Sequence, residues 1–286
     1  MQHQPLVSVL MTAYNRGAYI GSAIESVLAN TYTNFELIIV DDCSTDNTLE
    51  VANQFAEKDT RIKIYKNDTN LGDYPNRNKA ASYAQGKYLK YCDSDEELYP
   101  FCLEMMVGSM EENPNGALGL SHIHDVRRLP YMVSSEEAYK WHYFKKDFFH
   151  NAPTSTIIRR AEFEKEGGFN NIRHRGDYDL WLRLSAKYAV VRVPAFLTWN
   201  FDHDGQEKSK NYLYKKALTH NISIGALKDS NCPLSNEDRQ KALHLWRRGF
   251  IRQNIFGGLL KLKFKEVLYL MKECKITLAE VINAVK

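Results

Sequence analysis

The chain has 286 residues, 44% of them hydrophobic and 26% charged, with a formal net charge of +3. That is enough for one large domain, or a domain and a half, with a substantial core, and the composition is that of an ordinary soluble protein. So small an excess of charge gives no argument for a nucleic-acid partner, and no run of 18 apolar residues is present to cross a bilayer.

The charge is unevenly spread. Residues 1–210 carry 24 Lys and Arg against 29 Asp and Glu, whereas residues 211–286 carry 14 against 6. A basic tail of this kind reads either as a solvated helical face or as a contact for an anionic surface. Cys43, Cys92, Cys102, Cys232 and Cys274 form no CxxC pair, so reduced thiols in a cytoplasmic protein are the expectation.

The opening MQHQPLVSVLMTAYN lacks a cationic leader and a small-residue cleavage site, so it is expected to be a first strand and not a signal peptide. LVSVLMTAY has the short, Val-rich character of a buried parallel strand, and the following segment repeats apolar residues at Ile20, Ile24 and Leu28, a helical period. FELIIVDDCSTDNTLEVANQFAEKD repeats the order strand, acidic turn, helix, with Ser44, Thr45 and Asp46 as capping residues. RIKIYKND predicts a third strand, NRNKAASYAQG a helix ending at Gly86, and KYLKYCDSD a fourth strand. Strands alternating with helices predict an α/β sheet with right-handed crossovers.

Further on, residues 99–150 mix helix and strand around the aromatic run YKWHYFKKDFFH, which reads as core packing. TSTIIRR predicts a strand, AEFEKEGGF a helix closed by glycine, and GDYDLWLRLSAKY a helix. VVRVPAFLTWNF predicts late strands, and the remainder looks helical with no linker or internal repeat.

Ligands of such sheets gather where parallel strands end. Thr12 to Asn15, Asp41 to Asp46 and Asp93 to Asp95 all fall at predicted strand ends. Asp93 and Asp95 are two apart, so in extended backbone both carboxylates leave one face and suit Mg²⁺ or Mn²⁺. Neither a G-x-G-x-x-G nor a P-loop occurs. A nucleotide could instead be gripped by the Asp42 carboxylate, stacking on Tyr14, and Arg77.

The ordered series VSVLMTAYN, ELIIVDDCSTDNT, NLGDYPNRNKAASYAQGKYLKYCDSDE, GGFN and GDYDLWLRL resembles the family 2 glycosyltransferases, inverting enzymes of the GT-A fold. The resemblance spans roughly residues 5 to 210. It implies a GT-A catalytic domain over 1–210, with a donor half to about 98 and an acceptor half from about 99 to 210. A basic helical extension follows over 211–286. Thr12, Tyr14 and Asn15 then match the family's first-strand motif beside the nucleotide, Asp42 the residue that reads the base, and Arg77 and Asn78 the pair before the D-x-D helix. Asp93 and Asp95 match the D-x-D that holds the metal on the donor diphosphate, and His203 resembles a histidine that some relatives place near it.

The last acidic motif matches at Asp177, with Trp181 and Arg183 behind it, which makes Asp177 the candidate base. The family often has Glu before that Asp, and here the place is held by Gly176. Asp179 is a lesser candidate for a shifted role. The implied reaction moves a sugar from a nucleoside diphosphate sugar, a UDP-sugar in the first instance, to a hydroxyl of a glycan or lipid-linked acceptor, with Mn²⁺ or Mg²⁺ as cofactor.

A sugar nucleotidyltransferase would be expected to carry a glycine-rich basic loop after the first strand, which NRGAYIG matches poorly. A non-catalytic nucleotide-sugar binder would keep the metal site without a usable base, a reading that Gly176 keeps open. In the tail, Trp246, Phe250, Ile251, Phe256 and Leu260 mixed with Arg247, Arg248, Arg252, Lys261 and Lys263 form either an amphipathic face for peripheral membrane contact or a packing surface against the catalytic domain, the latter favoured.

Overall fold

The structure, a computed structural model, describes residues 4–122, 127–145, 148–200 and 211–285. The chain divides into two compact units, one of Met1–Ser135 and Phe149–Asp204, the other of Glu136–Phe148 and Gly205–Lys286.

The first unit begins β1 (Val7–Ala13), α1 (Ile20–Leu28), β2 (Phe35–Asp41), α2 (Thr48–Ala56), β3 (Ile62–Lys66), α3 (Asp73–Ser82) and β4 (Tyr88–Tyr91). It continues with β5 (Glu96–Leu98), α4 (Cys102–Glu111), β6 (Gly116–His122) and β7 (Tyr131–Val133). After α5 (Ser135–Phe144) come β8 (Thr156–Arg159), α6 (Arg160–Lys165), α7 (Gly176–Lys187), β9 (Ala189–Pro194) and β10 (Thr198–Asn200). Eight strands form one sheet in the order β3-β2-β1-β4-β8-β6-β9-β7, while β5 and β10 pair separately.

Strands β1 to β4 run parallel, and the antiparallel β8 extends the sheet beyond β4. Every residue of β2 is buried, because helices cover both faces of a parallel sheet. On α1 the buried residues Ile20, Ala23, Ile24 and Val27 fall at i, i+3, i+4 and i+7 and make one apolar stripe. Glu36 locks the register by accepting from Ser8 Oγ, Lys63 Nζ and the Gln85 N–H, each at 2.7 Å. Burial alone would raise its carboxyl, but these partners hold it below the ordinary value.

Parallel alignment brings the ends of β1, β2 and β4 to one edge, and chain order reverses between β1 and β4. Crevices of open α/β sheets form at such a reversal.

In the second unit, α8 (Tyr212–Lys228) and α9 (Asn236–Phe250) lead through a wider-wound segment, Ile251–Phe256, to α10 (Gly257–Leu260), α11 (Phe264–Glu273) and α12 (Leu278–Val285). Its core is built from Ala217, Ile251, Ile255, Val267, Leu270 and Ile276 with their neighbours. Trp246 packs its ring 5.3 Å from His142 and 5.4 Å from Tyr143. Arg247 pairs with Glu280 at 2.5 Å. Most of the amphipathic face expected over 246–256 is therefore occupied inside this unit, whereas Leu260 is 71% exposed. Among the described residues no helix is long and apolar enough to cross a membrane.

Ile39, fully buried at the centre of β2, tests the first core. Ile39→Ala should lower stability by about 2–5 kcal/mol, read as a fall in the urea midpoint at unchanged slope.

Candidate active site

Three loops meet at the reversal. After β1, Asn15 sits at φ 51°, a left-handed conformation that asparagine tolerates better than most residues. Its N–H donates to Ser44 Oγ at 2.9 Å and its Oδ1 accepts the Thr45 N–H at 2.9 Å. Asn15 thus ties the first loop to the second. Thr12 is half-buried near the end of β1, and the Tyr14 ring is 48% exposed, open to a stacking partner.

Asp42 is buried and accepts from Asn67 Nδ2 and the Leu71 N–H at 2.8 Å, and from the Gly72 N–H at 2.9 Å. It therefore shapes the loop entering α3, where Gly72 adopts φ 83°. Oδ2 takes the Gly72 N–H alone among the described residues, which leaves it acceptor capacity for a base N–H.

The D-x-D carboxylates follow β4, and each meets an arginine from another loop. Arg77 donates to both Asp93 oxygens at 2.7 and 3.0 Å, and to Asp73 Oδ1 at 2.7 Å. Burial alone would lower this guanidinium, but Asp73 and Asp93 raise it well above its ordinary value. Arg16 Nε donates to Asp95 Oδ2 at 2.9 Å, a link across the reversal from the loop after β1 to the loop after β4. Neighbouring Glu96 has a buried Oε2 with no hydrogen-bond partner among the described residues. Burial first, and Asp93 second, push its carboxyl up to about 7.

The chemistry of this donor set fits a hard divalent cation, since Mg²⁺ commonly binds one or two carboxylates together with substrate phosphates and water. Among the described residues no three His, Cys, Asp or Glu side chains form a ready-made metal cage. His203 lies outside the described residues.

Asp177 opens α7. Its Oδ1 accepts from the Tyr74 hydroxyl at 3.1 Å and from the Tyr178 N–H at 2.7 Å. Burial raises its carboxyl above the ordinary value, against the lowering effect of these two donors and the positive charges of Arg175 and Arg77. A proton acceptor raised in this way is better matched to work near neutral pH.

Tyr74 was not among the residues singled out from sequence, and it accounts for Gly176. A Cβ on residue 176 would stand 2.8 Å from two Tyr74 ring carbons and 2.8 Å from the Asn170 carbonyl oxygen, so the ring fills the space a Glu side chain would need. Tyr74 and Arg77 lie three apart on α3, on one face. The N-terminal half of that helix therefore holds Asp177 through one residue and Asp93 through the other.

The remaining carried-over residues are engaged with neighbouring chain. Asp179 Oδ2 accepts from Arg183 Nε at 2.9 Å and Asn170 Nδ2 at 2.8 Å. Arg183 also donates to the Glu166 and Gly168 carbonyls. Trp181 is buried, with its indole N–H on the Asn151 carbonyl at 2.8 Å. Asn78 exchanges two hydrogen bonds with the Phe169 backbone.

The sequence model of Glycosyl transferase family 2 matches residues 8–167, more than half the chain and every strand whose end builds this edge. The chain belongs to that family. An uncharacterized glycosyltransferase, MJ1057, of Methanocaldococcus jannaschii is 32% identical over 241 residues, covering 76% of this chain and 80% of the relative. TuaG of Bacillus subtilis, named for teichuronic acid biosynthesis, is 34% identical over 64% of this chain and 73% of its own. Hyaluronan synthase of Pasteurella multocida is 26% identical over 90% of this chain but only 30% of its own length.

Among solved structures, S. aureus TarS 1-349 in complex with UDP-GlcNAc superposes with a TM-score of 0.73 at 19% identity, over 98% of this chain and 81% of that one. Mannosyltransferase PcManGT from Pyrobaculum calidifontis, in complex with GDP-Man and Mn²⁺, gives 0.61 at 15% identity, over 99% and 87%. These likenesses establish the GT-A fold of the family 2 chain.

Because the Tyr74 ring leaves no room at position 176, Gly176→Ala should destabilise the protein by about 1–3 kcal/mol. A lower thermal midpoint would register it, and an unchanged one would mean that the ring moves aside.

Proposed function

We propose that this family 2 glycosyltransferase moves a sugar from a nucleoside diphosphate sugar, a UDP-sugar, to a hydroxyl of a glycan or lipid-linked acceptor, with inversion at the anomeric carbon, in surface polysaccharide assembly. The observation that carries the reading is the N-terminal half of α3, which joins the raised carboxyl of Asp177 through Tyr74 to the D-x-D through Arg77. Support for the donor class comes from the UDP-GlcNAc held by TarS, and for the product class from the names of TuaG and hyaluronan synthase. Five unpaired cysteines are in keeping with a cytoplasmic site of action.

On this reading residues 1–210 form the catalytic domain. Tyr14 stacks on the base, Asp42 Oδ2 accepts its N–H, and Thr12 and Asn15 shape the loop beneath it. Asp93 and Asp95, with His203, would hold Mn²⁺ or Mg²⁺. A divalent cation there supplies positive charge to the departing diphosphate. Arg77 and Arg16 keep the two aspartates aimed at the reversal. Asp177 accepts the proton of the acceptor hydroxyl as the oxygen attacks the anomeric carbon from the face opposite the leaving group, and the leaving oxygen takes the bond's electron pair. The Tyr74 hydroxyl donates to Asp177 and favours its ionised form.

Incubation with a panel of nucleotide sugars and Mn²⁺ tests the reading through its products. Nucleoside diphosphate from one donor supports the transferase. Pyrophosphate from a sugar phosphate and a nucleoside triphosphate would indicate a nucleotidyltransferase, and tight binding without turnover a binding protein. Asp177→Asn should leave donor affinity intact and lower transfer by at least about 10²-fold.

A second expectation concerns pH. Asp177 must be ionised to act, so activity falls as pH drops through its folded pKa, and removing a donor raises that pKa. Tyr74→Phe should therefore move the acid limb of the kcat profile to higher pH with little change on the alkaline side. An unmoved acid limb would detach Tyr74 from the base.

A further inference from the structure

The turn between α10 and α11 has an unusual distribution of polar and apolar residues. The Leu262 N–H donates to the Leu259 carbonyl at 3.0 Å and the Lys263 N–H to the Gly258 carbonyl at 2.9 Å, with Leu262 at φ 56°. This is a Schellman ending, whose left-handed position normally takes glycine or asparagine. The same ending closes α11. There Lys275 occupies the left-handed position at φ 49°, the Ile276 N–H reaches the Met271 carbonyl at 2.9 Å, and Ile276 is buried in the core. At Leu262 the polarity is reversed. The following residue is Lys263, its usual apolar partner position is Gly258, and the Leu262 side chain is 74% exposed. A γ-branched side chain is thus held in a backbone conformation that disfavours it and is also given largely to water.

Its neighbours repeat the pattern. Leu260, Phe264 and Leu268 are 71%, 54% and 66% exposed, and Lys261, Lys263 and Lys265 alternate with them, all exposed. On α11, at about 100° per residue, Phe264 and Leu268 lie between the core-facing Val267 and Leu270 and the lysines at 265 and 272. Glu266 and Glu273 fall on a further face, and Glu266 holds Lys263 at 3.0 Å. Like-charged lysines interleaved with each apolar tip would oppose one another across a two-fold contact between copies. They suit a partner that is apolar inside and anionic at its edge.

We propose that the Leu260–Lys265 turn is a membrane-insertion point for anionic bilayers, with Leu260, Leu262 and Phe264 entering the acyl boundary and Lys261, Lys263 and Lys265 meeting lipid phosphates. This binding surface stands apart from the reading of the sugar-transfer site and does not depend on it.

Co-sedimentation of the full chain with vesicles tests it. The wild type should partition onto phosphatidylglycerol–phosphatidylcholine vesicles, more weakly onto phosphatidylcholine alone, and less as salt rises. Leu262→Gly relieves the backbone, so the thermal midpoint should hold or rise while partitioning falls. Adding Phe264→Ser should bring the loss to at least about tenfold. Lys261→Glu with Lys265→Glu should lower binding to the anionic vesicles alone. Donor hydrolysis without vesicles should stay at the wild-type rate in every variant, which keeps this test separate from that of the reaction. Three results would overturn the proposal. The wild type could remain in the supernatant, the Leu262→Gly/Phe264→Ser variant could partition as the wild type does, or lipid-free protein could form a dimer that this variant splits.

Discussion

Carboxylates crowd the edge where β1, β2 and β4 end, and Arg77 is the cation that lets them fold there. Its side chain is only 9% exposed and engages Asp93 through both terminal nitrogens and Asp73 through Nε. Removing one partner of a buried pair typically costs about 3–5 kcal/mol, because the other charge is left without water or counter-ion. Arg16 repeats the arrangement at Asp95 with more exposure, where screening weakens the pair. Each aspartate of the D-x-D is thus held in place by an arginine from a different loop.

The same helix that supplies Arg77 explains a departure from the family pattern. With glycine at 176, Tyr74 moves its ring against the first turn of α7 and its hydroxyl onto Asp177. A phenol gives a hydrogen bond without adding charge. Burial drives its own pKa far up, so it stays a neutral donor at any working pH. A Glu at 176 would instead have set a second carboxylate beside the candidate base, and like charges at that range raise one another's pKa.

The C-terminal unit distributes its apolar residues in two ways. Ile251, Ile255, Val267 and Leu270 close a core, and Arg247 and Arg248 are engaged with α12 through Glu280 and the Ala284 carbonyl. Leu260, Leu262, Phe264 and Leu268 remain in solvent among lysines. A single amphipathic reading of residues 246–263 therefore merges two surfaces, one buried and one exposed. Helical periodicity cannot separate them, because a buried stripe and an exposed apolar stripe have the same spacing.

Local chemistry already determined the alternation of strand and helix, the parallel sheet and the acidic strand ends. Apolar runs such as VSVLMTA and FELIIVD can be satisfied only by burial on both faces. Asp93 and Asp95 could be singled out by their spacing after a predicted strand, and Asp177 by the family resemblance. Helix ends were less legible: α3 begins at Asp73 and stops at Ser82, short of the Gly86 expected to end it. Tertiary structure alone decided the partners. Arg16 meets Asp95 across 79 residues and Tyr74 meets Asp177 across 103. It also turned Asp42 and Asp179 toward neighbouring chain, and left Leu262 outside while Ile276, in the same kind of turn, went in. Hydrogen bonds and ion pairs between distant segments depend on where the packed elements come together, and no spacing along the chain records that.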